Sequence, residues 1–192
     1  MLNKSVDVNV ILGVSAGFIL LTSLPDAYSV KADTVEKLHQ QSIGNIPAKA
    51  IELIKESEGY RATAYKDSAG VWTIGWGTIR MDGKGIKPGQ TIDETTAEKY
   101  LMEEINHAAS AVKKLVKVPI NEGQFTALIS FVYNTGEGTL TKSTLLKKLN
   151  AGDCEGAKSL FPIYNKDINK RTTPGLTKRR IVEQNLFVCE KK

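Results

Sequence analysis

The run Phe125–Tyr133 reads Phe-Thr-Ala-Leu-Ile-Ser-Phe-Val-Tyr, uncharged and apolar around every side of a helix. A surface helix needs an apolar stripe on one face only, so this run predicts a buried central helix with other elements wrapped around it. Asn121-Glu-Gly-Gln124 before it has capping-box form, and so does Thr91-Ile-Asp-Glu94, which opens a long amphipathic segment ending near Val116, ahead of Pro119. Helices over Ser143–Asn150, Asp153–Phe161 and Thr177–Val188 complete the helical set, and residues 60–80 read as a small β-hairpin region. The expected fold class is α+β: a hairpin lobe, a mainly helical lobe and a cleft between them.

A chain of 192 residues allows one domain with a small appendage, and 41% apolar with 24% charged residues is globular material. The net charge of +5 suits an anionic partner. No basic-aromatic alternation or recognised motif accompanies it, so nucleic acid is not the expected partner. The basic excess gathers in 166–192, largely as a solvated face. His39 and His107 are far apart and lack ligand spacing, so no metal site is expected.

Residues 8–25 carry no charge and follow Lys4. Val10–Leu21 has the length of a secretory apolar region, and Ala27-Tyr28-Ser29 puts small residues about a cut site. The same run is just long enough to span a bilayer as an N-terminal hydrophobic helix. Residues 1–29 are therefore expected to export the chain, as a cleaved signal or as a retained membrane segment; 30–45 read as a linker and 46–192 as the catalytic domain.

Chemistry enters at the joint between the first helix and the hairpin. Asn45-Ile46-Pro47 reads as a helix start, Ile51 and Ile54 mark its apolar stripe, and Glu58 falls on that stripe just before the stop at Gly59. The negative helix end and partial burial both favour a protonated carboxyl there, as a general acid requires. Asp67 lies in the turn Tyr65-Lys-Asp-Ser-Ala-Gly70, and Thr73 alternates with Trp72 and Ile74 in a strand-like run. Taken singly, these three read as a fraying charge, an Asx turn and a good strand former. Together they supply a proton donor and a water-holding pair, the kit for cleaving a glycosidic bond with inversion.

Glu58-Gly59, Asp67 and Thr73-Ile-Gly at this spacing resemble the catalytic signature of the phage-type lysozymes, glycoside hydrolase family 24. Asn121–Gly136, Ser143–Asn150 and Pro174–Arg180 are similar to further blocks of its lambdoid endolysins, so the resemblance spans roughly 46–189. It implies a lysozyme-like fold and hydrolysis of the β-1,4 bond between N-acetylmuramic acid and N-acetylglucosamine in peptidoglycan, without cofactor. It implies Glu58 as acid, Asp67 and Thr73 as the water-holding pair, and a C-terminal arginine, Arg179 or Arg180, near the acid. Tyr133, Asn134 and Ser143 are expected on the opposite wall as substrate contacts, with core or cap roles equally open. Relatives often bridge the regions of Cys154 and Cys189; two buried thiols are the alternative. The uncharged N-terminal run resembles signal-arrest-release segments, which would tether the enzyme to the inner membrane and later free it into the periplasm. A monomer is expected.

Two departures are plain. Thr78 stands where many family members carry His, and 161–173 lacks the Trp and Gly-Gly turn often found there. Two other classes differ from this pattern. A lytic transglycosylase would manage without the Asp and Thr, and a non-catalytic wall-binding module of the same fold would have lost Glu58 or Asp67.

Overall fold

The computed structural model describes residues 46–190, Ser68 and Ile168 apart. The expected export segment over 1–29, the linker over 30–45 and His39 lie outside the described residues.

Helix α1 spans Ala48–Glu58, entered through Pro47, which occupies the N-cap and not the first turn. It buries Ala50, Leu53 and Ile54, leaves Ile51 half-buried, and puts Glu52 and Glu56 in solvent. The chain then forms β1 (Arg61–Lys66) and β2 (Trp72–Gly75), antiparallel, with Tyr65 opposite Thr73 and a register irregularity between Arg61 and Tyr65. On the other edge of β1, Ala64 N–H donates to Gln90 O at 2.8 Å and Ile92 N–H to Ala62 O at 2.9 Å. A second hairpin, β3 (Arg80–Met81) with β4 (Lys84–Gly85), extends this lobe beyond the expected 60–80 region.

Helix α2 covers Glu94–Leu115. Its N-cap is Asp93, which accepts from Thr96 N–H, two residues inside the capping box expected at Thr91. Asp93 takes both the amide and the hydroxyl of Thr96, and these bonds hold its carboxyl below the usual range. Helix α3, Glu122–Thr135, is capped by Asn121 in a full capping box with Gln124, as the sequence predicts. Gln124 through Val132 are all buried, and α3 packs against α1, α2 and the C-terminal helix. Its continuous apolar surface is thus explained by neighbours on several sides.

Four shorter helices enclose it: α4 (Glu137–Lys142), not distinguished in the sequence, α5 (Thr144–Asn150), α6 (Cys154–Lys158) and a 3-10 turn over Phe161–Tyr164. Phe131, Phe161 and Tyr164 meet edge to face beneath the last helix, α7 (Pro174–Leu186). Helix α7 begins three residues before the expected Thr177, because Thr173 caps it and Pro174 fits the first turn.

The end of α7 is clamped to the start of α3. Val188 O accepts from Asn121 Nδ2 at 3.0 Å and Gln124 Nε2 at 2.9 Å, and Leu186 O lies so close over Gly123 that a Cβ there would strike it. Cys154 and Cys189 form a disulfide with a Cα–Cα distance of 5.9 Å, closing a loop of 35 residues of sequence separation. Loop closure of that length contributes about 4 kcal/mol. Reduction should therefore move the urea midpoint down by an amount worth about 2–4 kcal/mol, read from unfolding curves with and without dithiothreitol. Coincident curves would show that the clamp alone holds the terminus.

Candidate active site

Glu58 is the last residue of α1, and its side chain is 24% exposed. Arg179 of α7 is 5% exposed, and its Nη1 lies 2.6 Å from Glu58 Oε1. Two adjacent arginines were candidates for this contact, and the structure separates them. Arg179 faces α1, while Arg180 is fully buried over the Phe131 ring at 5.0 Å. From the hairpin side, Gly77 approaches the other oxygen: a Cβ built there would lie 3.3 Å from Glu58 Oε2. Gly77 also has φ +93°, a conformation that side chains rarely adopt, so its backbone favours glycine and a Cβ would in addition crowd the carboxyl.

Arg179 is itself held on every side. Its Nη2 donates to Ser130 O at 3.1 Å, and its Nε donates to Ser130 Oγ at 3.1 Å and lies 3.4 Å from Glu183 Oε1. Ser130 Oγ donates to the same Glu183 oxygen at 2.7 Å, and Arg180 Nη2 does so at 2.8 Å. Burial pushes the Glu183 carboxyl up, against the pull of both arginines, and pushes Arg180 down to about 10. At neutral pH Arg180 therefore stays charged. Ser130 and Glu183 played no part in the sequence reading. Their signals were a lone hydroxyl inside an apolar run and a Glu at i+3 and i+4 from two arginines, a spacing that usually marks a solvated ion pair.

The hairpin carries the second half of the expected kit. Asp67 Oδ1 accepts from Ala69 N–H at 2.9 Å and Val71 N–H at 2.8 Å, an Asx turn that closes the hairpin. Thr73 is 3% exposed and donates its hydroxyl to Val71 O at 3.1 Å. Across the ladder from Thr73, burial pushes the Tyr65 phenol up, Arg61 pulls it down, and Glu58 and Asp67 each push it further up. The two carboxyls therefore act on one tyrosine. Thr78 is buried with its hydroxyl unpaired among the described residues.

The remaining expected contacts divide. Tyr133 donates its hydroxyl to Trp76 O at 2.8 Å, tying α3 to the hairpin lobe, and its phenol is pushed well up by burial, with Glu58 adding. Asn134 is exposed and lines a cavity of about 400 Å³ together with Leu53, Glu58, Thr173, Lys178 and Arg179. Ser143 is buried: its hydroxyl donates to Leu140 O at 2.7 Å and accepts from Leu146 N–H at 3.0 Å, the helix-cap role that the sequence left open. A wider apolar hollow on the outer face of α7, lined by Pro174, Ile181 and Val182, has only Lys178 as a charged group. Among the described residues no cluster of His, Cys, Asp and Glu could hold a metal ion. No described helix is long and apolar enough to cross a membrane.

The phage lysozyme family model matches residues 55–183, which include Glu58, Asp67, Thr73 and the whole arginine network. The chain belongs to the phage lysozyme family. An endolysin of Acyrthosiphon pisum secondary endosymbiont phage 1 is 40% identical, over 74% of this chain and 97% of its own. A SAR-endolysin of Escherichia phage 933W is 38% identical, over 60% of this chain and 66% of its own. Among solved structures, an endolysin from Escherichia coli O157:H7 phage FAHEc1 superposes with a TM-score of 0.71 and 38% identity, covering 76% of this chain and 94% of that one. The cavity beside Glu58 is lined from α1, from Asn134 of α3 and from Thr173 with α7, and neither Asp67 nor Thr73 is among its lining residues.

Proposed function

We propose that this member of the phage lysozyme family is a muramidase that hydrolyses the β-1,4 bond between N-acetylmuramic acid and N-acetylglucosamine and so lyses the cell wall. The observation that carries the reading is Glu58: a half-buried carboxyl at a helix end, gripped by Arg179, on the wall of an open cavity of about 400 Å³. Glu58 gives its proton to the glycosidic oxygen as the bond to the anomeric carbon breaks. Arg179 then stabilises the carboxylate left behind. Asp67 and Thr73 hold a water on the opposite face; its oxygen joins the anomeric carbon and its proton passes to Asp67, so that one water is added across the bond. The turn amides fall on Asp67 Oδ1, so in this reading Oδ2 holds the water.

The substrate places the reaction in the periplasm. The uncharged N-terminal run, together with the likeness to a SAR-endolysin, supports export with tethering to the inner membrane before release. The basic surface draws the enzyme, acting as a monomer, toward an anionic wall.

Asp67→Asn should keep the turn, since a carboxamide oxygen still accepts both amides, yet lower turnover by about 10²-fold or more because it cannot take the proton. A reducing-end assay of the full chain on purified peptidoglycan tests the whole reading. Wild type should release ends that borohydride reduces. No release, or anhydro-sugar products, would sink it.

A further inference from the structure

The arginine network lies one layer behind the acid, and its charges do not cancel at random. Glu58 and Glu183 supply two carboxyls, Arg179 and Arg180 two guanidiniums, and three of the four groups are at most 5% exposed. The set is neutral only when Glu58 and Glu183 are both carboxylates. While Glu58 keeps its proton, a net positive charge stays in a site that water reaches poorly, where charge interactions are strong.

We propose that Glu183 is a positioning residue for the acid: with Ser130 it fixes the Arg179 fork on Glu58, and its charge sets how much positive potential Glu58 meets. Glu183 Oε1 receives Ser130 Oγ, Arg180 Nη2 and the Nε edge of Arg179, and this leaves Nη1 of Arg179 aimed at Glu58. Because Glu183 is fully buried, it cannot swing to solvent and release the arginine. A purely structural brace would need no such balance; an apolar contact between α3 and α7 would serve it as well or better.

Other charges face the same cluster and stay constant in the comparison below. Glu104 from α2 and Arg179 both act on Tyr133 of α3, and Asp67 acts on Tyr65 of the hairpin. Glu56 of α1 and Lys178 of α7 line the cavity beside Glu58, while Tyr164 packs on Phe131 beneath Arg180.

The test is the pH dependence of peptidoglycan cleavage by the full chain, and it rests on the muramidase reading. The alkaline limb of kcat/KM reports loss of the acid's proton. Glu183→Gln removes a negative charge, makes the carboxylate of Glu58 easier to form, and should move that limb to lower pH by about half a unit. It should also lower kcat about tenfold, with KM changed less than about twofold, since the fork is held less firmly. Arg180→Met removes a positive charge and should move the limb the other way. Should Glu183→Gln unfold, the double variant Glu183→Gln/Arg180→Met removes one charge of each sign. It should restore folding and the wild-type limb while kcat stays low. A limb that coincides with wild type in Arg180→Met overturns the proposal, as do limbs that move the same way in both single variants or a displaced limb in the double variant. A double variant with wild-type kcat also overturns it. A wild-type chain that releases no sugar ends would overturn the muramidase reading instead.

Discussion

Glu58→Gln should fold as the parent does and lose at least about 10³-fold in turnover on peptidoglycan. The carboxamide keeps an oxygen where Arg179 Nη1 donates at 2.6 Å, so the contact between α1 and α7 survives. What it lacks is the proton. General acid catalysis contributes about 10²–10⁴-fold, and the leaving oxygen of a sugar depends on it fully. Initial rates of reducing-end release, set beside thermal unfolding of the same samples, read both halves. A variant with more than a tenth of parental activity would move the acid elsewhere.

Arg179→Met is the larger perturbation of the fold. Arg179 joins three elements' worth of polar groups: Glu58 on α1, the carbonyl and hydroxyl of Ser130 on α3, and Glu183 on its own helix. Methionine fills much of the volume but leaves the Ser130 carbonyl and a buried carboxyl short of a partner. Removing one member of a buried ionic set costs about 3–5 kcal/mol, so the variant should unfold at markedly lower urea and cleave at least about 10²-fold more slowly. Arg179→Lys separates charge from shape. A lysine ammonium can reach Glu58 or Ser130, not both in the fork geometry, so it should recover less than half of the lost stability. Full recovery by lysine would mean that charge alone matters at this position.

These two residues show what the sequence could and could not disclose. Glu58 was legible because its setting is local: an apolar stripe, a glycine stop and a turn all lie within a short stretch. The central helix was legible for the same reason, since its cap and its unbroken apolar run are contiguous. Arg179 and Arg180 are neighbours in the chain, and which of them meets the acid depends on the rotation of α7 against α3, set by packing far away in sequence. Glu183 and Ser130 were hidden by their ordinariness. A glutamate beside arginines looks solvated, and a serine in an apolar run looks tolerated, until burial makes each seek the other.

The hairpin carried a mixed signal. Its first pair of strands followed from glycine and β-branched residues, but β3 and β4 are two residues each and leave no periodicity to read. Asp67 was expected in a turn or in chemistry: Oδ1 takes the turn amides, which leaves Oδ2 for the proposed reaction. Gly77 could not be picked out from its neighbours, because its positive φ and the approach of Glu58 Oε2 both arise only in the folded chain.

The most direct test of the acid and its opposed water is a crystal structure of the Glu58→Gln chain bound to a peptidoglycan oligosaccharide. The account predicts a glycosidic oxygen roughly 3 Å from the carboxamide of residue 58, and an ordered water beneath the anomeric carbon within reach of Asp67 and Thr73. A sugar chain seated with its scissile oxygen away from residue 58, or with Asp67 and Thr73 on the same side of the ring as residue 58, would contradict it.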